Sequence, residues 1–236
     1  MASKRPVARR TRAATTRPAA GILDRLQTQQ PNAWTELAFT NPFELLVATI
    51  LSAQCTDARV NQVTPALFAT YPTPERLAAA TAEELEPQIQ PTGFFRMKSR
   101  SLLGMSRALV EQHGGKVPAD MDALVKLPGV GRKTANVVLG HAFKLPGLPV
   151  DRHVLRVAHR IGLITTETDA VKAEEQLAAQ LPPDRWTLAS DTLILHGRRI
   201  CKPRPLCDRC VITGDCRYFA RLGAKAPRKP ARRPRR

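Results

Sequence analysis

Aromatic residues are scarce, at 5% of 236 positions, and long apolar runs are absent. The longest, Leu45–Leu51 and Val137–Leu139, fall far short of the roughly 18 to 20 residues that a membrane span requires. No secretory apolar segment is present. Alternation of period two never lasts four residues with turn signals at both ends, so strand signals are almost absent. With only 13 glycines, a collagen-like chain is excluded as well. Wholesale disorder is excluded because a 43% hydrophobic content can bury one sizeable core or two small ones. These absences predict a soluble protein.

Acidic residues are missing from both ends. Residues 1–20 hold six Lys/Arg and no acid, and residues 221–236 hold eight and no acid. The net charge of +17 therefore sits mainly in the tails, while residues 21–220, with 23 basic and 20 acidic side chains, are nearly neutral. Basic tails rich in Pro and Ala cannot fold alone and are drawn to polyanions. Nucleic acid is favoured over membrane because no amphipathic apolar face accompanies the charge. Solubility alone remains an alternative for either tail, and an Arg-rich, acid-free segment 1–20 can also be read as a transit peptide.

Five cysteines are unevenly placed: Cys55 alone, then Cys201, Cys207, Cys210 and Cys216. Without a secretory signal, such a cluster points to metal rather than disulfides, and to an intracellular protein. The spacing C-x5-C-x2-C-x5-C leaves both a [4Fe–4S] cluster and structural zinc open.

What is present reads as helix. Asn41-Pro42-Phe43-Glu44 supplies an N-cap, Pro at the first helical position and Glu at the third, ahead of a run buried on most sides. Thr73-Pro74-Glu75 repeats the device, and Thr81 to Glu84 has capping-box spacing. Leu102, Leu103, Ala108 and Leu109 mark a helix from Phe95 to Gln112, stopped by Gly114-Gly115. Val154, Val157, Ala158 and Ile161 share one face of another, stopped by Gly162. Asp169 and Asp184 look like N-caps of two further helices, the second running through Trp186 to His196. The fold class expected is all-α, with about ten short helices.

Between a helix starting near Asp120 and one ending near Phe143 lies Leu127-Pro128-Gly129-Val130-Gly131-Arg132-Lys133. A helix, a Gly-rich turn and a second helix with free N–H groups form a phosphate cradle, so this helix-hairpin-helix suits DNA backbone binding. Lys133 lies in the first turn of the second helix. The helix dipole opposes an ammonium there, and partial burial would add to this, favouring a nucleophilic amine. Asp151, eighteen residues on, precedes a helix and reads as an N-capping carboxylate.

The hairpin with Lys133, Asp151-Arg152-His153-Val154, Leu51-Ser52-Ala53-Gln54, Leu193 to Arg198 and the four cysteines occur in the order and at the distances found in one family. Over residues 21–220 the chain resembles the endonuclease III family of iron–sulfur DNA glycosylase/AP lyases. The resemblance implies that Lys133 attacks C1′ of a damaged nucleotide and that Asp151 helps activate it and steadies positive charge on the sugar. Chemistry asks for the same pair, an amine for the imine and a carboxylate for the cationic transition state. The damaged base must be flipped out of the stack. By position, Gln54 fills the resulting gap and Phe94 supplies an apolar wedge.

The resemblance also implies a [4Fe–4S] cluster on the four cysteines, structural and DNA-contacting, with Lys202, Arg204 and Arg209 near phosphates. The first cysteine interval is one residue short of the family's, Phe94-Phe95 stands for an aliphatic–aromatic pair, and Arg152 replaces a small polar residue. Arg152 can hold a phosphate, His153 reads as packed or DNA-adjacent, and Cys55 as a free thiol.

The expected architecture is two helical lobes. Residues 35–145 would form a six-helix domain with the hairpin at about 120–143, and 21–34 with 146–219 would hold the cluster; 1–20 and 220–236 would be disordered tails. Duplex DNA would lie in the cleft between the lobes. The implied activity is a monomeric bifunctional glycosylase/AP lyase for oxidised pyrimidines such as thymine glycol. It would act at the nucleoid of a prokaryote, with nuclear or mitochondrial placement left open. Two rivals are a monofunctional adenine or mismatch glycosylase, against which Lys133 argues, and a non-catalytic zinc protein that binds DNA.

Overall fold

A computed structural model describes residues 18–225. The tail segments beyond them, and the polyanion and transit-peptide readings placed there, lie outside the described residues. Within these bounds the chain is all helical, with no strand. Twelve α-helices appear rather than about ten. They are α1 (Ala19–Gln29), α2 (Pro42–Leu51), α3 (Asp57–Thr70), α4 (Pro74–Ala78), α5 (Ala82–Ile89) and α6 (Phe95–His113). Next come α7 (Met121–Leu124), α8 (Arg132–Ala142), α9 (Arg152–Ile161), α10 (Ala170–Ala178), α11 (Trp186–Arg199) and α12 (Arg217–Lys225). None is long and apolar enough to cross a membrane.

Local sequence explains the starts. Asn41 accepts from the Glu44 N–H at 3.0 Å while Glu44 accepts from the Thr40 N–H at 2.6 Å. Thr81 and Glu84 satisfy each other's backbone in a full capping box. Asp169 accepts from the Lys172 N–H at 3.0 Å. Asp184, however, is no cap: it lies inside a 3-10 turn, Pro183–Arg185, that runs straight into α11. Pro183 sits at the start of that turn, and its fixed φ begins the helical winding before Asp184 is reached. The tail boundaries shift as well. Helix α1 begins at Ala19 and α12 extends to Lys225, so helix replaces disorder at the inner edge of both tails.

Burial organises the helices around two cores. One gathers α2, α3, α5, α6 and α8, from Leu37 to Leu139. Eight of the ten residues of α2 are buried, and Leu102, Leu103, Met105 and Leu109 bring α6 against them. Each fully buried leucine contributes about 1.5–3 kcal/mol. The other core gathers α1, α9, α10 and α11, with Ile22, Leu23, Leu26, Val154, Val157 and Leu193 at its centre. Polar ties cross between them. Buried His141 of α8 meets buried Asp191 of α11 at 2.9 Å, and Arg198 of α11 pairs with Asp57 at 2.8 Å and with Glu36.

Candidate active site

The hairpin is built by one glycine more than by the other. Asp120 caps α7 through the Ala123 N–H at 2.8 Å, and the chain turns back with a 3.1 Å bond from the Val130 N–H to the Leu127 carbonyl. Gly129 has φ +78°, and a Cβ there would come within 2.6 Å of Ser101. Gly131 is extended and would meet nothing. Unlike α2, α3, α4 and α5, helix α8 has no side-chain cap. Its first intrahelical bond comes from Ala135, and the amides of Arg132, Lys133 and Thr134 have no partner among the described residues. Helices α1, α6 and α11 also lack a side-chain cap, and the positive dipole end of α8 is suited to an anion.

Val130 points its side chain into the core, leaving only backbone for a ligand. The Arg132 guanidinium is held by both Glu174 oxygens, at 2.9 and 3.0 Å. Its side chain nonetheless remains about half exposed beside the hairpin.

Lys133 is exposed rather than partly buried, because the first turn of α8 projects beyond the core. Asp151 is half-buried and caps α9, its Oδ1 accepting from the N–H groups of His153 at 2.7 Å and Val154 at 2.8 Å. Neither bond uses Oδ2. The seven residues before Asp151 are pinned to both neighbouring helices. Asn136 of α8 accepts from the Leu148 N–H at 3.1 Å, and Thr187 of α11 donates to the Gly147 carbonyl at 2.9 Å. A Cβ on Gly147 would strike the Asn136 carbonyl at 2.3 Å. That close approach brings the helix capped by Asp151 beside the helix carrying Lys133.

Both side chains line one cleft between the two cores, with Thr49, Ser52, Val137, His141, Asp191 and Arg198. It encloses about 80 Å³, room for a few waters. Arg198, bonded to Glu36 and Asp57, spans one wall. His141, Asp191 and Glu36 were not singled out from sequence. His141 follows Lys133 and Val137 at four-residue intervals, so one face of α8 supplies all three.

At the edges of this region stand the other expected residues. Gln54 and Phe94 are both exposed, Phe94 by 58%, and both adopt left-handed backbone, with φ of 54° and 50°. Arg152 is exposed as the first residue of α9. His153 is half-buried against Arg156 at 3.1 Å, and burial pushes its pKa down, aided by Arg156, Arg152 and Arg198 and opposed by Asp151. Cys55 is partly buried against the first core. Lys202, Arg204 and Arg209 are exposed on the cysteine loop.

Cys201, Cys207, Cys210 and Cys216 line a single apolar pocket with Ile161, Ile200 and Leu206 among its walls. Burial is the largest influence on Cys207, Cys210 and Cys216, and it pushes their thiols up, with the neighbouring cysteines adding to it. Ligation to a metal reverses that preference. His196 is buried, its pKa pushed down to about 4 by desolvation; its Nε2 lies 3.7 Å from the Cys210 sulfur and its Nδ1 finds no partner among the described residues. Four thiols around one apolar pocket are a donor set that either a [4Fe–4S] cluster or a structural zinc could take.

Comparison with known proteins identifies the family. Residues 47–183 match the model of the HhH-GPD superfamily base excision DNA repair protein. Endonuclease III of Synechocystis sp. is 48% identical over 197 residues, covering 83% of this chain and 90% of that protein. Endonuclease III of Escherichia coli is 41% identical over 198 residues, covering 84% and 93%. The solved structure of a trapped endonuclease III–DNA covalent intermediate superposes with a TM-score of 0.82 at 41% identity, covering 86% of this chain and 96% of that one.

Proposed function

Because the chain belongs to the endonuclease III family within the HhH-GPD superfamily of base excision DNA repair proteins, we propose that it is a bifunctional DNA glycosylase/AP lyase for oxidised pyrimidines such as thymine glycol. One observation carries the reading: Lys133, at an uncapped helix start, and Asp151, at a capped one, line the same cleft. The Lys133 amine attacks C1′ as the bond from C1′ to the base breaks, and the base leaves with the electron pair and takes up a proton. The Asp151 carboxylate, with Oδ2 uncommitted, opposes the positive charge on the sugar and accepts the proton that the attacking amine sheds. Ring opening gives a lysine imine. Loss of a C2′ proton then expels the 3′ phosphate and cuts the strand 3′ to the lesion.

Duplex DNA is the partner. The amides of Arg132, Lys133 and Thr134 and the backbone at Gly129 and Gly131 meet phosphate, while Arg132 itself remains with Glu174. Gln54 and Phe94 enter the stack as the base leaves it. Arg152, His153 and Lys202 line one surface pocket with Thr56 and Gly197 and would meet the same strand, with Arg204 two residues further along the loop. Cys201, Cys207, Cys210 and Cys216 would hold a [4Fe–4S] cluster, whose chemistry when bound is to brace the loop carrying Lys202 and Arg204.

Borohydride trapping tests the reading on duplexes with thymine glycol, an abasic site or undamaged bases. Adducts on both damaged duplexes that vanish in Lys133→Gln are expected. Trapping on the abasic duplex alone would reduce the protein to a lyase, or to a glycosylase for another lesion. None anywhere would leave a DNA-binding protein without imine chemistry, and base release without trapping would favour a monofunctional glycosylase.

A further inference from the structure

Two short turns carry the wedge side chains, and both are conformationally costly. Gln54 and Phe94 are two of only three non-glycine residues with positive φ among the described residues. Each such residue costs of order 1 kcal/mol or more and persists only where its surroundings impose it. The Gln54 turn follows the end of α2, and the Phe94 turn follows the 3-10 turn Gln90–Thr92. Both helical ends leave a carbonyl stranded. The Cys55 N–H, which would continue α2 by bonding Leu51, bonds Ser52 instead at 3.0 Å. No backbone N–H among the described residues donates to the carbonyl of Leu51 or of Thr92.

One side chain serves both. The Lys98 ammonium donates to the Leu51 carbonyl at 2.7 Å and to the Thr92 carbonyl at 2.8 Å. Lys98 is 3% exposed, on the buried face of α6 one turn before Leu102. A cation at two helix C-terminal ends is electrostatically favoured, and its placement fixes the separation of the turns that follow. We propose that Lys98 is the positioning residue that couples the two wedge turns, holding Gln54 and Phe94 at the spacing needed to enter one duplex together. This rests on the DNA-repair reading above. Burial pushes the Lys98 pKa down and nearby Cys55 opposes the change, which agrees with a desolvated ammonium kept for its two acceptors.

The role concerns prying a stack apart, so it should be felt in duplexes and not in single strands. Lys98→Met keeps the apolar stem and removes both donors; Lys98→Gln, which can reach one carbonyl, serves if the first variant does not fold. The binding probe is a duplex with a tetrahydrofuran abasic analogue opposite 2-aminopurine, whose fluorescence rises when that base is unstacked. The wild-type protein should raise it, and Lys98→Met should give less than about half the rise at saturating protein. Excision of thymine glycol from duplex should fall about tenfold or more, with excision from single strand changed by about twofold or less. In a Phe94→Ala background the duplex defect should largely disappear, since coupled residues are not additive.

A wild-type rise in the Lys98 variants, or equal losses on duplex and single strand, would overturn the coupling and leave Lys98 a purely structural residue. The tetrahydrofuran analogue cannot form an imine. A failure of borohydride trapping by the wild type would therefore strike the catalytic reading alone.

Discussion

The two cores differ in what closes them. The first, from Leu37 to Leu139, is shut by aliphatic side chains, with helix on every side. The second counts Cys201 and Cys210 among its packing partners and ends in a loop whose only regular structure is two 3-10 turns. Arginines hold that loop by backbone carbonyls. Arg156 reaches Cys201 at 3.1 Å, Arg160 reaches Lys202 at 2.7 Å and Pro203 at 3.0 Å, and Arg25 reaches Asp215 and the Val211 carbonyl. A core made by apolar burial stands alone, whereas a loop made by carbonyl contacts and half-buried thiols would lean on the [4Fe–4S] cluster proposed for it.

Cys210→Ser is the harshest way to break that contrast. Freshly purified protein should be brown, and the variant should lose the visible absorbance and the iron. A stability loss on the order of several kcal/mol should follow. Hydrogen exchange should register it unevenly: amides of α9, α11 and α12 lose protection while those of α2 and α6 keep theirs. Uniform loss across both cores would show that the second has no special dependence on its thiols.

Asp151 sharpens the comparison, because it caps a helix of the second core and shares a cleft with Lys133, the proposed nucleophile, from the first. Asp151→Asn keeps an N-capping oxygen and removes the charge, so base release should fall about 10²–10³-fold with little change in stability. Asp151→Ala should match that kinetic loss and add about 1 kcal/mol of instability from the lost cap. Equal melting curves for the two variants would mean that the pair of bonds to His153 and Val154 contributes nothing.

Next in size is the polar seam joining the cores. Arg198 is about one-third exposed and bonded to Asp57 and Glu36, so Arg198→Met should cost about 1 kcal/mol. In a cycle with Asp57→Ala the two losses should not add. Full additivity in chemical denaturation would show that this contact does not tie the cores.

Much of this was legible in advance, and the pattern of misses is physical. Caps at Asn41, Thr73, Thr81 and Asp169 could be read because their partners lie three residues away. The cysteine pocket and the hairpin were legible for the same reason, their residues being close in sequence. Lys98, His141, Asp191 and Glu36 escaped because their partners are remote: Lys98 reaches 47 residues back to Leu51, and His141 reaches 50 residues on to Asp191. A weak signal existed for Lys98, a charge standing one turn before Leu102 on the apolar stripe of α6. Arg132 shows both sides. Its hairpin neighbours are close in sequence, but its ion-pair partner Glu174 lies forty-two residues on and only the fold reveals it.

Asp169 and Asp184 provide the smallest and cleanest test, since both stand before helices and only one caps. Asp169 is extended, with φ −92° and ψ 104°, and its Oδ1 accepts from the Lys172 N–H, so Asp169→Ala should cost about 1 kcal/mol. Asp184 lies one residue inside the turn begun by Pro183, exposed, with no side-chain bond to the start of α11. Its carboxylate can act on that helix only through the dipole, worth a few tenths of a kcal/mol and screened by salt. Asp184→Ala should therefore be nearly silent in a thermal melt, and the residual effect should fade as salt is added. A loss equal to that of Asp169→Ala would mean that α11 starts at Asp184 in solution, with Pro183 outside the helix rather than winding its first turn.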